Sequence, residues 1–361
     1  MKFFKLNRNF NLIKQKILLS HKKILENQNF ILGNEVNKLE KILSRFVGSK
    51  FCVTVNSGTD ALLISLLCIG IRPKDEVIVP AFGWISAAEV VKLLGAIPVY
   101  VDVKYDNCNI DEDKIEEKIT KKTKAIIPIS LFGNPTNSKK ILKISSKYKL
   151  IVIDDFAQSM GSKVFKKKSG NLYHLNCTSF FPTKPLGSMG DGGAIFTNDV
   201  KYFKKIQAIR NHGQVKKYDH KFIGVNSRLD TVNASFLIKK LLTFKRDLKF
   251  RKLIFKNYKA VLKKFKHINL PVEKPEFNSA YSVYTIKLKN RSKLIKNFKK
   301  YKIPFNIYYP KPLSEVIKGK NKDDNFPIAK KLCEQVISLP INDEIFREKN
   351  LKKLIRSFDD V

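Results

Sequence analysis

The stretch FCVTVNSGTDAL, Phe51–Leu62, decides how the rest of the chain is read. A short, almost wholly apolar run is followed by Ser57, Gly58 and Thr59 and then at once by a helical pattern. A strand without a polar face must be covered on both sides, and a helix that follows directly makes the βα unit of a parallel sheet. The pattern repeats. EVIVP, IPVYVDV, KAIIPIS and LIVIDD are further apolar runs, with helices between them starting near Thr59, Ile85, Asp111 and Ser138. An α/β domain with a mostly parallel sheet is expected, with ligands beyond the carboxyl ends of its strands.

The strand ends therefore carry the candidate residues. Ser57, Gly58 and Thr59 open a helix whose free N–H groups form a phosphate seat, or else Ser57 or Thr59 is simply the N-cap. No GK[ST] follows, so this is not a Walker A loop. Trp84, the single tryptophan, follows EVIVP and could lie flat on a planar ring or pack in the core. Asp154 and Asp155 end LIVIDD; a carboxylate at a buried strand end needs a partner, and the alternative is that both cap the next turn.

Downstream lies CTSFFPTKPLGSMGDGGAIFTN, with Ser179, then Lys184 between Pro182 and Pro185, then four glycines. An ammonium that must lose its proton to attack a carbonyl needs a stiff, partly dry setting, which this segment offers. Lys184 is therefore the candidate Schiff-base lysine for pyridoxal phosphate, against the reading of one more surface lysine. Further on, GVNSRLD places Asn226 and Arg228 just before a long helix, and Arg228 is a candidate anion fork.

The flanks complete the domain plan. Asn7 to Gln28 shows helical periodicity with Leu12, Ile13, Ile17 and Leu18 on one side, and Val36, Leu39, Ile42, Leu43 and Phe46 mark a second helix ended by Gly48. KYFKKIQAIRNHG reads as a helix ending at Gly213. From Thr243 a Lys-rich helix leads to an alternating strand NSAYSVYTIKLKN, a helix near Ser292 to Tyr301, a strand PFNIYY, a helix near Pro327 to Val336 and a closing LPIND turn. That describes a small α+β domain. The division falls at residues 1–245 and 246–361.

Of 361 residues, 43% are hydrophobic and 28% charged, a globular composition. Lys, Arg and Asn interrupt every apolar run near the N-terminus, so neither a signal peptide nor a membrane span is expected, and the protein reads as soluble and cytoplasmic. Five scattered cysteines without a CxxC pair read as buried free thiols, with no metal site. The formal charge of +38 raises nucleic acid as a partner. Against it, the excess is nearly all Lys, is spread along the chain, and accompanies no nucleic-acid-binding motif.

As a set, NSGTDAL, DEVIVPAFGW, GAIPVYVDV, TKAIIPISLFG, IDDFAQSMG, SFFPTKPLG with GDGGAIFTND, RNHGQ and GVNSRLD resemble the DegT/StrS family of nucleotide-sugar aminotransferases, over nine tenths of the chain. The resemblance implies the pyridoxal-phosphate-dependent transferase fold type I, aspartate aminotransferase-like. Carried over by position, Lys184 matches the Schiff-base lysine and Asp155 the aspartate bonded to the pyridine nitrogen. Gln158 resembles the residue beside the cofactor's phenolic oxygen, and Trp84 the aromatic on the ring. Ser179, with the backbone of Gly58 and Thr59, matches the phosphate seat; Asn226 matches a phosphate ligand donated by the partner subunit of a homodimer.

The resemblance further implies glutamate as amino donor and a keto-sugar nucleotide as acceptor, in cell-surface polysaccharide synthesis. SFFPTKPLG, HGQVKKYDH and GVNSRLDTVNA are most similar to enzymes acting on a UDP-linked 2-acetamido-3-oxo-glucuronate, which would give Arg228 the sugar carboxylate, with Tyr308 and Tyr309 at the substrate. The chain departs from the family at Asp154, where Glu is usual, at Phe156, at Tyr308, where His is frequent, and at Ser314. Two other readings stand beside this one: a paralogue that keeps the fold without the reaction, and a basic nucleic-acid-binding protein.

Overall fold

The computed structural model describes residues 1–6, 8–320, 325–359 and 361. Helix α1 (Phe10–Asn27) and helix α2 (Asn34–Val47) precede the sheet. Strand β1 (Phe51–Val55) leads to α3 (Gly58–Ile69), β2 (Glu76–Pro80), α4 (Ser86–Leu93), β3 (Ile97–Val101), β4 (Thr123–Ile126), α5 (Ser138–Tyr148) and β5 (Ile151–Asp155). A hairpin, β6 (Lys163–Val164) and β7 (Lys167–Lys168), then precedes β8 (Leu175–Ser179) and β9 (Gly193–Thr197). The seven-stranded sheet has the order β1-β9-β8-β5-β4-β2-β3. Only β9 runs antiparallel to its neighbours.

Alternate side chains of each strand enter different cores, which is why the strands read as continuously apolar. Val53, Val79, Ile153 and Ile195 pack with α3 and α4 on one face. On the other, Cys52, Ala194 and Phe196 meet α2 and helix α7 (Thr231–Leu241), and Ile78, Ile126 and Val152 meet α5.

The remaining elements are α6 (Val200–Ile209), the hairpin β10 (Gln214–Lys216) and β11 (Asp219–His220), α8 (Phe244–Leu262), β12 (Phe277–Asn278), β13 (Tyr284–Lys287), α9 (Arg291–Lys300), α10 (Leu313–Val316), α11 (Pro327–Gln335), β14 (Val336–Leu339) and α12 (Glu348–Asp359). Strands β13 and β14 pair antiparallel. With α8, α9 and α12 they enclose a separate core containing Tyr258, Ile286, Phe298, Ile337 and Phe358. The N-terminal segment joins it: Phe4 bridges to Ile341, and Lys5 pairs with Asp343 at 2.9 Å.

Several expectations are corrected. The helix expected from Asp111 is two 3-10 turns, Glu112–Lys114 and Glu116–Lys118. Between Asp111 and β4 the apolar side chains are Ile115 and Ile119, too narrow a stripe to anchor an amphipathic helix. PFNIYY forms no strand beyond a single bridge from Asn306 to Ser338; its end turns toward the cavity described below. In β13 the alternation is real, but all four residues are buried, because Lys287 donates to the carbonyls of Tyr105 and Asp106 on the polar face.

In α1 the buried stripe is Ile13, Ile17 and Ile24, while Leu12 and Leu18 face outward; Asn7, where this helix was expected to begin, lies outside the described residues. Helix α6 ends at Ile209 rather than Gly213. The chain does not close on the LPIND turn, since α12 follows it. All five cysteines are free and buried. Among the described residues no helix is long and apolar enough to cross a membrane.

One buried ion pair ties the N-terminal helices to the sheet. Arg210 Nη1 donates to Glu40 Oε1 at 2.6 Å and to the Thr54 carbonyl at 2.8 Å, while Glu40 also accepts from the Thr54 amide and hydroxyl. Removing one partner of such a pair strands the other charge, at a cost of about 3–5 kcal/mol. Arg210→Leu is therefore expected to lower the thermal midpoint markedly, and Glu40→Leu with Arg210→Leu together to recover much of it; a thermal melt checks both.

Candidate active site

The carboxyl ends of β1, β2, β5 and β8 open onto one cavity of about 400 Å³. Ser57, Gly58 and Thr59 enter it from β1, Trp84 from β2, Asp155 and Gln158 from β5, and Ser179 and Lys184 from β8. Tyr308 and Tyr309 close it from the C-terminal half.

At the β1 end Ser57 is the N-cap of α3, its hydroxyl accepting from the Asp60 amide at 3.0 Å. The amides of Gly58 and Thr59 donate to no group among the described residues. Thr59 Oγ1 is tied to Ser86 Oγ at 2.7 Å, and Ser179 Oγ accepts from the Phe181 amide at 3.2 Å. A Cβ on residue 58 would stand 2.7 Å from that of Ser179, so glycine is what lets the helix start approach this serine. Two open amides, the positive end of a helix dipole and a hydroxyl converge there, a set suited to a phosphate group.

Adjacent carboxylates at the end of β5 have opposite fates because successive strand residues face opposite ways. Asp154 is fully buried away from the cavity; its Oδ1 accepts from Ser130 Oγ at 3.1 Å and its Oδ2 has no partner among the described residues. Burial pushes its carboxyl well above the ordinary range, and the neighbouring charge of Asp155 adds to this. Asp155 faces the cavity, with Oδ1 accepting from the Ala157 amide at 3.1 Å. Burial raises its carboxyl too, but Lys184 and that amide pull it back down.

Lys184 is half-buried. Loss of hydration lowers its ammonium below the ordinary lysine value, and the charge of Asp155 opposes the drop. The amine thus becomes neutral, and nucleophilic, at a lower pH than an exposed lysine does.

Around this pair, Gln158 Oε1 accepts from the Phe132 amide at 2.9 Å, and its Nε2 donates to Tyr309 Oη at 3.1 Å. Trp84 is 53% exposed, so it is not a core residue; its ring lies 5.8 Å from that of Tyr309. Asp155, whose Oδ2 has no hydrogen-bond partner among the described residues, a flat aromatic and the helix start at Gly58 fit a protonated nitrogen heterocycle carrying a phosphate.

Of the eleven residues to which the resemblance assigned a role, nine line this cavity; Asn226 and Arg228 do not. Asn226 is exposed and its backbone bridges to Asn211, whose side chain accepts from Arg228 Nη1 at 3.0 Å. Sequence reasoning missed Phe4, Asp191, Ser282 and Val283, all of which line the cavity. Asp191 stood among glycines that drew attention to themselves. Phe4 and Ser282 carry no local signal, since they reach the site only through tertiary packing.

An α/β chain that sets a half-buried lysine against a carboxylate beside a phosphate seat belongs with the pyridoxal-phosphate-dependent transferases of fold type I. Comparison with known proteins narrows the class: the profile of the DegT/DnrJ/EryC1/StrS aminotransferase family matches residues 11–358, and the chain is a member of that family. It is 42% identical to the UDP-2-acetamido-2-deoxy-3-oxo-D-glucuronate aminotransferase of Pseudomonas aeruginosa, over 91% of this chain and 92% of the relative. It is 35% identical to a UDP-N-acetyl-3-dehydro-alpha-D-glucosamine 3-aminotransferase of Acidithiobacillus ferrooxidans, over 97% of this chain and 94% of the relative. Among solved structures, the NtdA protein of Bacillus subtilis, determined with bound cofactor PMP, superposes with a TM-score of 0.89 at 27% identity, covering 100% of this chain and 84% of that one.

Proposed function

We propose that this aminotransferase moves an amino group from glutamate to the 3-oxo carbon of a UDP-linked sugar, with a 2-acetamido-3-oxo-glucuronate as the favoured acceptor. Its cofactor is pyridoxal phosphate. The observation that carries the reading is that half-buried Lys184 and Asp155 line one cavity with the open helix start at Gly58 and Thr59, close enough for each to feel the other's charge. The names of the two curated relatives, both 3-oxo sugar aminotransferases, support the acceptor class.

Bound pyridoxal phosphate supplies an aldehyde that carries nitrogen and a ring that takes up electron density from the reacting carbon. The protein does the rest. Lys184 Nζ would hold the cofactor covalently at rest and, once released, would carry a proton from the donor carbon to the cofactor carbon that held the aldehyde. Asp155 would keep the ring nitrogen protonated, Ser179 with the Gly58 and Thr59 amides would anchor the phosphate, and Gln158 would serve the phenolic oxygen. Trp84 would cover the ring, and Tyr308 and Tyr309 would border the sugar.

In a homodimer, Asn226 reaches the partner subunit's phosphate seat and Arg228 the sugar carboxylate. That both lie outside their own chain's cavity is compatible with this sharing. The reaction takes place in the cytoplasm and serves surface polysaccharide synthesis. Residues 1–245 form the cofactor-binding domain and residues 246–361 the small one.

Gly58→Ala is expected to weaken cofactor binding roughly ten- to hundredfold by forcing α3 off Ser179, an overpacking cost of about 1–3 kcal/mol; absorbance titration of the cofactor-free protein measures it. The acceptor is tested by converting the enzyme to its amine form with glutamate and offering a panel of keto-sugar nucleotides. Recovery of aldehyde absorbance with the UDP-linked 3-oxo-glucuronate, ahead of 4-oxo and dTDP-linked sugars, is the expected result. Recovery only with a 4-oxo sugar would overturn the acceptor assignment.

A further inference from the structure

Behind the wall that carries Lys184 lies a second, much smaller cleft, bordered by Pro182, Lys184 and Pro185 on one side and by Lys240, Asp247 and Arg251 on the other. The loop between β8 and β9 is folded tightly on itself. The Lys184 amide donates to the Phe181 carbonyl at 2.9 Å and the Ser188 amide to the Phe180 carbonyl at 2.6 Å. Gly187 is pinned inside, since a Cβ there would stand 2.2 Å from the Pro182 carbonyl oxygen.

These local bonds fix the shape of the loop but not its position over the cavity. Position comes from α7. The Gly187 carbonyl accepts from Lys240 Nζ at 2.8 Å, and Ser188 Oγ donates to Asn233 Oδ1 at 3.1 Å. Asn233 and Lys240 are seven residues apart, two helical turns, so one face of α7 meets the loop. Lys240 is half-buried, and burial brings its ammonium down to about 8, with Asp247 opposing the drop and Arg251 adding to it. An ammonium withdrawn from water in this way requires a partner, and the loop carbonyl is that partner.

We propose that Lys240 is a positioning residue: through the Gly187 carbonyl it braces the loop from behind and holds Lys184 within reach of the reacting carbons opposite Asp155. The inference rests on Lys184 being the cofactor-bearing residue, and it adds to that reading a group that touches neither cofactor nor substrate. Charge-assisted bonds of this kind are the stronger class of hydrogen bond, and a displacement of about 1 Å at a reacting group costs up to about a hundredfold in rate.

The test compares Lys240→Met, which keeps the stem and loses the donor, with Lys240→Arg, which restores a cationic donor. In the holoenzyme, the single-turnover rate with glutamate should fall roughly ten- to hundredfold in the Met variant while the glutamate concentration at half-saturation stays put, and the Arg variant should recover most of the loss. In the cofactor-free protein, amide hydrogen exchange across residues 181–188 should quicken about tenfold in the Met variant and return toward normal in the Arg variant. If the Met variant does not fold, Lys240→Gln, which keeps a polar head but stops short of Gly187, takes its place in both measurements. Wild-type exchange and wild-type turnover in a folded Met or Gln variant would overturn the proposal. An unsubstituted protein that takes up no pyridoxal phosphate would instead defeat the reading of the site, and the exchange comparison would still decide whether Lys240 braces the loop.

Discussion

A Lys184→Ala protein is expected to fold normally, to bind pyridoxal phosphate without a reducible bond to the chain, and to lose turnover with glutamate toward the upper end of 10²–10⁴. The size of the loss follows from two roles resting on one amine. Lys184 is the attachment point, and it is also the cation lining the cavity that loss of hydration brings toward neutrality, with Asp155 opposing. The loop itself is preserved, because its own bonds are made by the backbone of residues 180, 181, 184 and 188, which alanine keeps. Added small amines should restore part of the proton transfer but not the attachment, which separates the two roles.

The second large effect is at Asp155. Asp155→Asn preserves volume and the bond from the Ala157 amide but removes the charge that holds a ring nitrogen protonated. Removal of one preorganised electrostatic partner typically costs about 10²–10³ in rate, and that loss is expected here with the cofactor still attached through Lys184. The same substitution has a consequence in the cofactor-free protein. The charge of Asp155 holds the Lys184 ammonium up against the pull of burial. Without it the ammonium titrates at a lower pH, so the pH midpoint for labelling Lys184 with an amine reagent should move down. A midpoint that stays fixed or moves up would mean the two groups do not feel each other.

Asp154 should behave differently, although it is the adjacent residue in the same strand. It faces the opposite side, bonded to Ser130 and buried beyond the reach of the cavity. The doublet at the end of LIVIDD therefore could not be resolved into a functional and a structural half by composition alone; the two-residue period of a strand resolves it once the faces are known.

Much of the fold was legible for a similar reason. FCVTV, EVIVP and LIVIDD are apolar on both faces because Cys52 and Val53, Ile78 and Val79, Val152 and Ile153 enter different cores, and such runs have few alternatives to a covered parallel sheet. The cavity's sheet side was legible too, because strand ends concentrate ligands. What escaped was set by contacts remote in sequence. Phe4 reaches the site because its segment is tied to Ile341 and Asp343, more than 330 residues away, and Ser282 does so in a segment held by Arg251 of α8. Helix α12 was passed over although Leu351, Leu354 and Phe358 fall at helical spacing, since the surrounding lysines dilute the signal.

The most direct test is to reduce the holoenzyme with borohydride, digest it and locate the modified residue by peptide mass. With 60 lysines in the chain, nonspecific attachment would scatter over many peptides. The account predicts one stoichiometric adduct, on Lys184, in the peptide that carries the Pro182–Pro185 loop. An adduct on a different lysine, or a protein that cannot be reconstituted with pyridoxal phosphate at all, would contradict it.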